Sequence, residues 1–206
     1  MGAQASRLPL SLKSEISNPM TPYYNTPEKI ASLAAAASRW LGTPFRENSA
    51  ICGPRGGVSC HNLVSQLYIE TGAVPPFTPP RGSARRLLHN PADTILAYID
   101  TALAAHFMRV EPEARSRKSE AGKDTPPSAA LSSALCPLVA PGDLLVLREG
   151  RIGKHVAIAL PGILPQHTLR IIHVITYRGV QLSELSDPTY GAAILEIRRP
   201  VTPSTP

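Results

Sequence analysis

The chain has 206 residues, 43% of them hydrophobic, which suits one domain with ragged additions better than two full domains. Twenty-two prolines and only 5% aromatics assign much of it to loops and tails. The 21 Lys+Arg against 15 Asp+Glu leave a net charge of +6, which favours acidic partners. The basic residues are dispersed, however (Arg81, Arg85 and Arg86; Arg115, Arg117 and Lys118; Arg198 and Arg199), and no nucleic-acid module accompanies them. A solvated basic surface is therefore expected, with no specific nucleic-acid partner. Cys52, Cys60 and Cys136 are odd in number and lack framework spacing, so a reducing compartment and no disulfide network are expected.

Residues 1–25 contain Pro9, Pro19 and Pro22 without periodicity and read as a flexible tail. Met1-Gly2-Ala3-Gln4-Ala5-Ser6 matches the short myristoylation pattern, which matches often by chance. The N-terminus has no apolar run of signal-peptide length and no stretch reaches membrane-spanning length, so synthesis in the cytoplasm is expected. Thr26 and Pro27 then open a helix whose face is Ile30, Leu33, Ala34, Ala37 and Leu41, closed by Gly42. A turn-rich loop, Asn48 to Gly57, leads to a second helix. Ser59 stands at its N-cap, Cys60 at its first position, and Gly72 where a left-handed residue would end it.

Within that second helix Cys60, Leu63, Val64 and Leu67 recur at the spacing of one buried face. A thiol there sits at the positive end of the helix, an environment that lowers a cysteine pKa from about 8.5 to roughly 3.5–7.5. By position alone Cys60 is equally a small buried hydrophobe. After the proline-rich stretch Pro75 to Pro80, residues Asn90 to Asp93 open another helix with Leu96, Ile99 and Leu103 on one face and Phe107 near its end. Residues 111–137 are charged or small and read as a disordered insertion.

From Pro141 the chain turns to β-branched runs: Asp143 to Leu147, His155 to Leu160, Leu169 to Tyr177 and, last, Ala192 to Arg198. They describe an antiparallel sheet, so the fold class is α+β, with one domain over 26–200 and a tail over 201–206. A hairpin centred near Leu164 sets His155 opposite His173 on one sheet face. The alanines 157 and 159 on that face leave room for an approaching element such as the Cys60 helix. A thiol with two aligned imidazoles is what a nucleophile, a base and an orienting group require.

The order Gly-Val-Ser-Cys60-x-x-Leu-Val, Pro141-Gly142-Asp143-Leu144, His155-Val-Ala-Ile and Ile-Ile-His173 resembles the NlpC-type papain-like cell-wall endopeptidases over roughly residues 27–200. Trp40 to Phe45 and Leu144 to Arg148 look most like the branch found in phage tails and gene-transfer particles. The resemblance implies a nucleophile-bearing helix packed on an antiparallel sheet. It also implies hydrolysis of peptidoglycan stem peptides, commonly between D-glutamate and a diamino acid, without a cofactor. Carried over, Cys60 is the nucleophile, His155 the general base and His173 the residue that orients it. The Cys60 backbone N–H is a candidate oxyanion donor. The chain departs from the family pattern Asp-Cys-Ser-Gly with Ser59-Cys60-His61-Asn62, and has Phe45 where many members have a tyrosine. Ser59, His61 and Phe45 are thus candidate oxyanion or substrate-binding positions. Delivery to a cell wall, or residence in a phage tail or similar particle, is the expected destination. A weakly active assembly protein of the same fold is the alternative. A zinc site of Cys52, Cys60, His61 and Cys136 lacks a Cys-x-x-Cys pair, so no metal is expected.

Overall fold

The structure, a computed structural model, describes residues 20–79, 94–111, 135–149, 153–162 and 169–203. In chain order the elements are β1 (Thr21–Pro22), α1 (Pro27–Trp40), β2 (Ala50–Ile51), β3 (Gly57–Val58), α2 (Cys60–Glu70) and α3 (Thr94–Thr101). Then come β4 (Phe107–Val110), β5 (Leu144–Glu149), β6 (Gly153–Leu160), β7 (Arg170–Ile175), β8 (Gly179–Glu184), α4 (Pro188–Gly191) and β9 (Ile194–Thr202). The fold class is α+β. Seven strands form one antiparallel sheet in the order β1-β9-β5-β6-β7-β8, with β4 also paired to β9, while β2 and β3 make a separate ribbon.

Strand alternation divides the sheet into two faces, each with its own core. Leu144, Val156, Ile158, Leu160, Ile172 and Val174 meet α1 and α2, through Leu33 and Trp40 of one helix and Leu63, Val64 and Leu67 of the other. On the other face Leu145, Leu147, Ala157, Ala159, Ile171, Ile194 and Ile197 pack with Leu135, Val139 and Leu185. The second cluster includes the alanines expected to receive the Cys60 helix. That expectation is corrected: α2 lies across the opposite face, and the alanines are covered by the second core.

The helix starts follow their local chemistry. Thr26 caps α1 by accepting from the Lys29 N–H, and Pro27 takes the first turn, where a missing donor costs nothing. The buried face of α1 is Leu33, Ala36, Ala37 and Trp40, one position round from the expected stripe, so Leu41 is exposed. In α2, Gly72 adopts φ +73°, and the Ala73 N–H bonds the Tyr68 carbonyl, a helix-ending pattern that a left-handed residue permits.

Several boundaries differ from expectation. Residues 20–25 are not tail: Thr21 and Pro22 pair with β9, and Tyr24 is buried against Tyr68. Tyr23 and Tyr24 bond the Thr71 carbonyl and hydroxyl, and this burial holds the segment. At the other end Val201 is fully buried and β9 runs to Thr202, so the chain stays in the sheet past 200. Within 111–137, residues 112–134 lie outside those described, but Leu135 is buried in the second core and Cys136–Leu138 form a 3-10 turn. Phe107 starts a strand rather than ending a helix, because β9 offers it a pairing edge. Residues Gly179–Glu184, read as no element, are the edge strand β8. Finally, the β6–β7 register is Ile158↔Ile172, two residues from the one that sets His155 opposite His173. A two-residue shift preserves the face, so the histidines stay on one side as diagonal neighbours.

Candidate active site

The site is assembled where α2 begins. Just before it, β3 pairs with β2 so closely that a Cβ at Gly56 would collide with the Ile51 carbonyl, and one at Gly57 with Arg46. Only glycine permits that approach, which delivers the chain to Val58 and then Ser59. Phe45 bridges to Val58, flanked by the hydrogen bonds of Val58 N–H to the Pro44 carbonyl and Arg46 N–H to the Val58 carbonyl. Thr43 is tied to the start of β8 through the Val180 N–H. The start of α2 is further fixed by Asn62, whose Nδ2 donates to the Ser49 carbonyl at 2.9 Å.

Ser59 occupies the N-cap with extended backbone, yet its side chain makes no capping hydrogen bond, contrary to expectation. Cys60 follows as the first residue of α2 and is half-buried. Burial pushes its thiol pKa up, but the opposing influences win. The positive charge of His61, hydrogen bonds from His155 and His61, and the charge of His155 bring it down to about 5. The residue type at 61, a departure from the family pattern, therefore contributes to the thiolate. His61 itself is buried.

His155 and His173 meet directly. His155 Nε2 lies 3.2 Å from His173 Nδ1, with the rings edge-to-face and their centroids 5.3 Å apart. With Nε2 so engaged, Nδ1 is the nitrogen His155 has left for Cys60. His173 is 1% exposed, and burial first, then the His155 charge, pushes its pKa down to about 4, so it is neutral at physiological pH. Its other nitrogen, Nε2, is 2.9 Å from the Ser183 hydroxyl, and the Tyr190 ring meets it edge-on at 5.0 Å. A cleft of about 440 Å³ opens beside the pair, lined by Arg148, His155, His173, Tyr177, Thr189 and Tyr190.

Cys60, His61, His155 and His173 thus come together in one continuous chain of contacts. Phe45 lies beside Val58 with 38% of its surface exposed and carries no donor. Ser183 and Tyr190, which also meet His173, belong to no sequence motif. The alternation of Val180 and Leu182 with Gln181 and Ser183 after the Arg178-Gly179 turn is the available signal for β8, since Ser183, two places from the Gln181 that stands opposite His173, shares its face. Cys52 is exposed and donates to the Arg39 carbonyl, and Cys136 lies against the second core. Among the described residues no three His, Cys, Asp or Glu side chains are placed to hold a metal ion. No helix among them is long and apolar enough to cross a membrane.

No protein-family model matches the chain, and no curated protein matches it by sequence. Its backbone is similar to the crystal structure of a lipoprotein-like protein of the NLP/P60 family from Staphylococcus aureus, with a TM-score of 0.50. The sequences are 17% identical, and the match covers 90% of this chain and 45% of that one, so this chain spans under half of its neighbour's length. The fold is therefore of the NLP/P60 type.

Proposed function

We propose that the chain is a cysteine hydrolase that cuts peptide bonds in peptidoglycan stem peptides. The observation that carries this reading is the chain of contacts from the Cys60 thiol through His155 to His173, built at the start of α2. Each part has a role that its environment suits. The Cys60 thiolate attacks the scissile carbonyl, and the Cys60 backbone N–H, in the first turn of α2, is the candidate donor to the developing oxyanion. His155, protonated on Nδ1 by the thiol, hands that proton to the leaving amine. A thioester on Cys60 remains. Water, losing a proton to the same Nδ1, then releases the acid and restores the thiol. His173 holds the His155 ring in place without titrating. The similarity to an NLP/P60 protein supports the fold in which this chemistry sits, and the D-glutamyl–diamino acid bond is the substrate that the motif resemblance suggests.

The test is muropeptide analysis by mass spectrometry after digestion with wild type and with Cys60→Ala. New peptide termini are expected with wild type, Cys52→Ala and Cys136→Ala, and none with Cys60→Ala. Cleavage by Cys60→Ala, or its loss in Cys52→Ala, would remove the assignment.

One observation favours a second reading, a phage-tail or particle component with this fold and little activity. Phe45, beside the nucleophile segment, has no hydroxyl to support an oxyanion. Folded wild-type protein that alkylates slowly at Cys60 and releases no muropeptides would favour that role.

A further inference from the structure

The contacts do not stop at His173. On edge strand β8, Ser183 pairs with Ile171, which puts it on the same sheet face as His173 and diagonal to it. Its hydroxyl is 2.9 Å from His173 Nε2, on the far side of the ring from His155. The question this arrangement answers is which His173 nitrogen carries the proton.

A neutral imidazole has one N–H. With that proton on Nε2, His173 donates to Ser183 and accepts at Nδ1 from His155 Nε2–H. His155 then keeps its Nδ1 lone pair for the thiol. With the proton on Nδ1 instead, His173 would donate to His155 Nε2 and drive the proton of neutral His155 onto Nδ1. That form faces the thiol with an N–H and cannot accept its proton. The two His173 tautomers therefore correspond to a competent and an incompetent base.

We propose that Ser183 is a positioning residue: by accepting from His173 Nε2–H it stabilises the tautomer that leaves His155 Nδ1 free for Cys60. A hydroxyl can also donate to a bare ring nitrogen; what sets the direction here is His155, whose imidazolium carries an N–H on Nε2 against His173 Nδ1, so that the His173 proton sits on Nε2 and needs an acceptor. Ser183 supplies one without carrying charge, so His173 stays neutral and the positive charge stays on His155. A carboxylate there would stabilise a His173 cation beside the His155 imidazolium. No proton travels to Ser183 during the reaction: the thiol proton goes to His155 Nδ1, and the His155 Nε2 and His173 Nε2 protons stay where they are. The inference rests on the hydrolase reading for its purpose, but the tautomer and the thiolate can each be read without substrate.

The experiment uses the full chain with 15N-labelled histidine, in wild type, Ser183→Ala and Ser183→Thr, the His173 signals being assigned from their absence in His173→Gln. In wild type, His173 is expected to show a protonated Nε2 and an unprotonated Nδ1. Ser183→Ala should shift population to the Nδ1–H form and move the midpoint of the pH profile for iodoacetamide alkylation of Cys60 upward by about one pH unit, the scale of one lost hydrogen bond. Ser183→Thr, which keeps the hydroxyl, should restore both. An unchanged His173 tautomer in Ser183→Ala, or a loss that threonine does not rescue, overturns the proposal. If tautomer and alkylation respond as stated while wild type cuts no muropeptide, the hydrolase reading fails and the role of Ser183 stands.

Discussion

At the scale of single residues, the proposed hydrolysis gives the two histidines of the pair unequal tasks. In it His155 exchanges a proton with the thiol and with the leaving amine, which no amide can do. His155→Asn is therefore expected to lose about 10²–10⁴-fold in single-turnover rate, the usual contribution of general acid–base catalysis. His173 only has to accept from His155 Nε2, and an amide oxygen does that. His173→Gln should keep a measurable fraction of the rate, with circular dichroism confirming that both variants are folded. Full activity in His155→Asn would overturn the mechanism. The thiol gives a separate test. Its pKa is brought to about 5 against the effect of burial, chiefly by the His61 charge, so Cys60 should alkylate at a rate that rises through about pH 5 and is level by neutrality. Replacing His61 with Ala removes the largest lowering influence, and the midpoint of that profile should move upward. A midpoint left in place would mean that His155 alone sets the thiolate.

At the scale of elements, the turn into β5 is held by a buried carboxylate. Asp143 is 1% exposed and accepts two hydrogen bonds from Arg199 of β9, both at 2.9 Å, and one from the Ala140 N–H at 2.8 Å. Burial raises its pKa and the Arg199 hydrogen bonds oppose that, which is the balance of a paired interior charge. The same turn is reached from α2, since the Tyr68 hydroxyl donates to the Gly142 carbonyl at 2.9 Å. One turn thus joins α2 to two strands. Asp143→Ala strands the Arg199 guanidinium and should cost about 3 kcal/mol, the lower end for a broken buried pair because Arg199 is partly exposed. Urea unfolding should show a lower midpoint with the same slope, and a change under 1 kcal/mol would mean that water replaces the carboxylate.

At the scale of the whole molecule, the sheet is stabilised from both faces, and the site histidine lies inside it. His173 has a folded pKa of about 4 against an ordinary 6.5, so as pH falls the unfolded chain takes up its proton first. Its contribution is complete above about pH 6.5 and declines between there and about 4, at up to ~1.4 kcal/mol per pH unit. Denaturant unfolding across pH 4 to 7 should show this decline in wild type and a flatter dependence in His173→Gln; parallel curves would contradict it. The second face makes its own prediction. Leu135, 2% exposed, closes the core over Ala157 and Ala159, so Leu135→Ala should cost ~2–4 kcal/mol. A deletion across 111–137 that removes Leu135 carries the same penalty.

What the sequence determined by itself is what neighbouring residues determine for one another. Thr26-Pro27 begins a helix, Gly72 ends one, and Ser59-Cys60 puts a thiol at a helix start, because caps and left-handed turns are settled within a few residues. The α+β order and the shared face of His155 and His173 were legible for a similar reason, since period-two alternation survives an even error in register. Distant partners were another matter. That Tyr24 belongs to the core depends on Tyr68 and Thr71, and that Phe107 is a strand depends on the edge of β9. Which sheet face α2 covers does not follow from two alanines, because small side chains admit any neighbour and only the packing of Leu135, Val139 and Ile194 decides which arrives. Ser183 at His173 likewise depends on the β7–β8 register, a relation that chain sequence encodes only through pairings spread across the sheet.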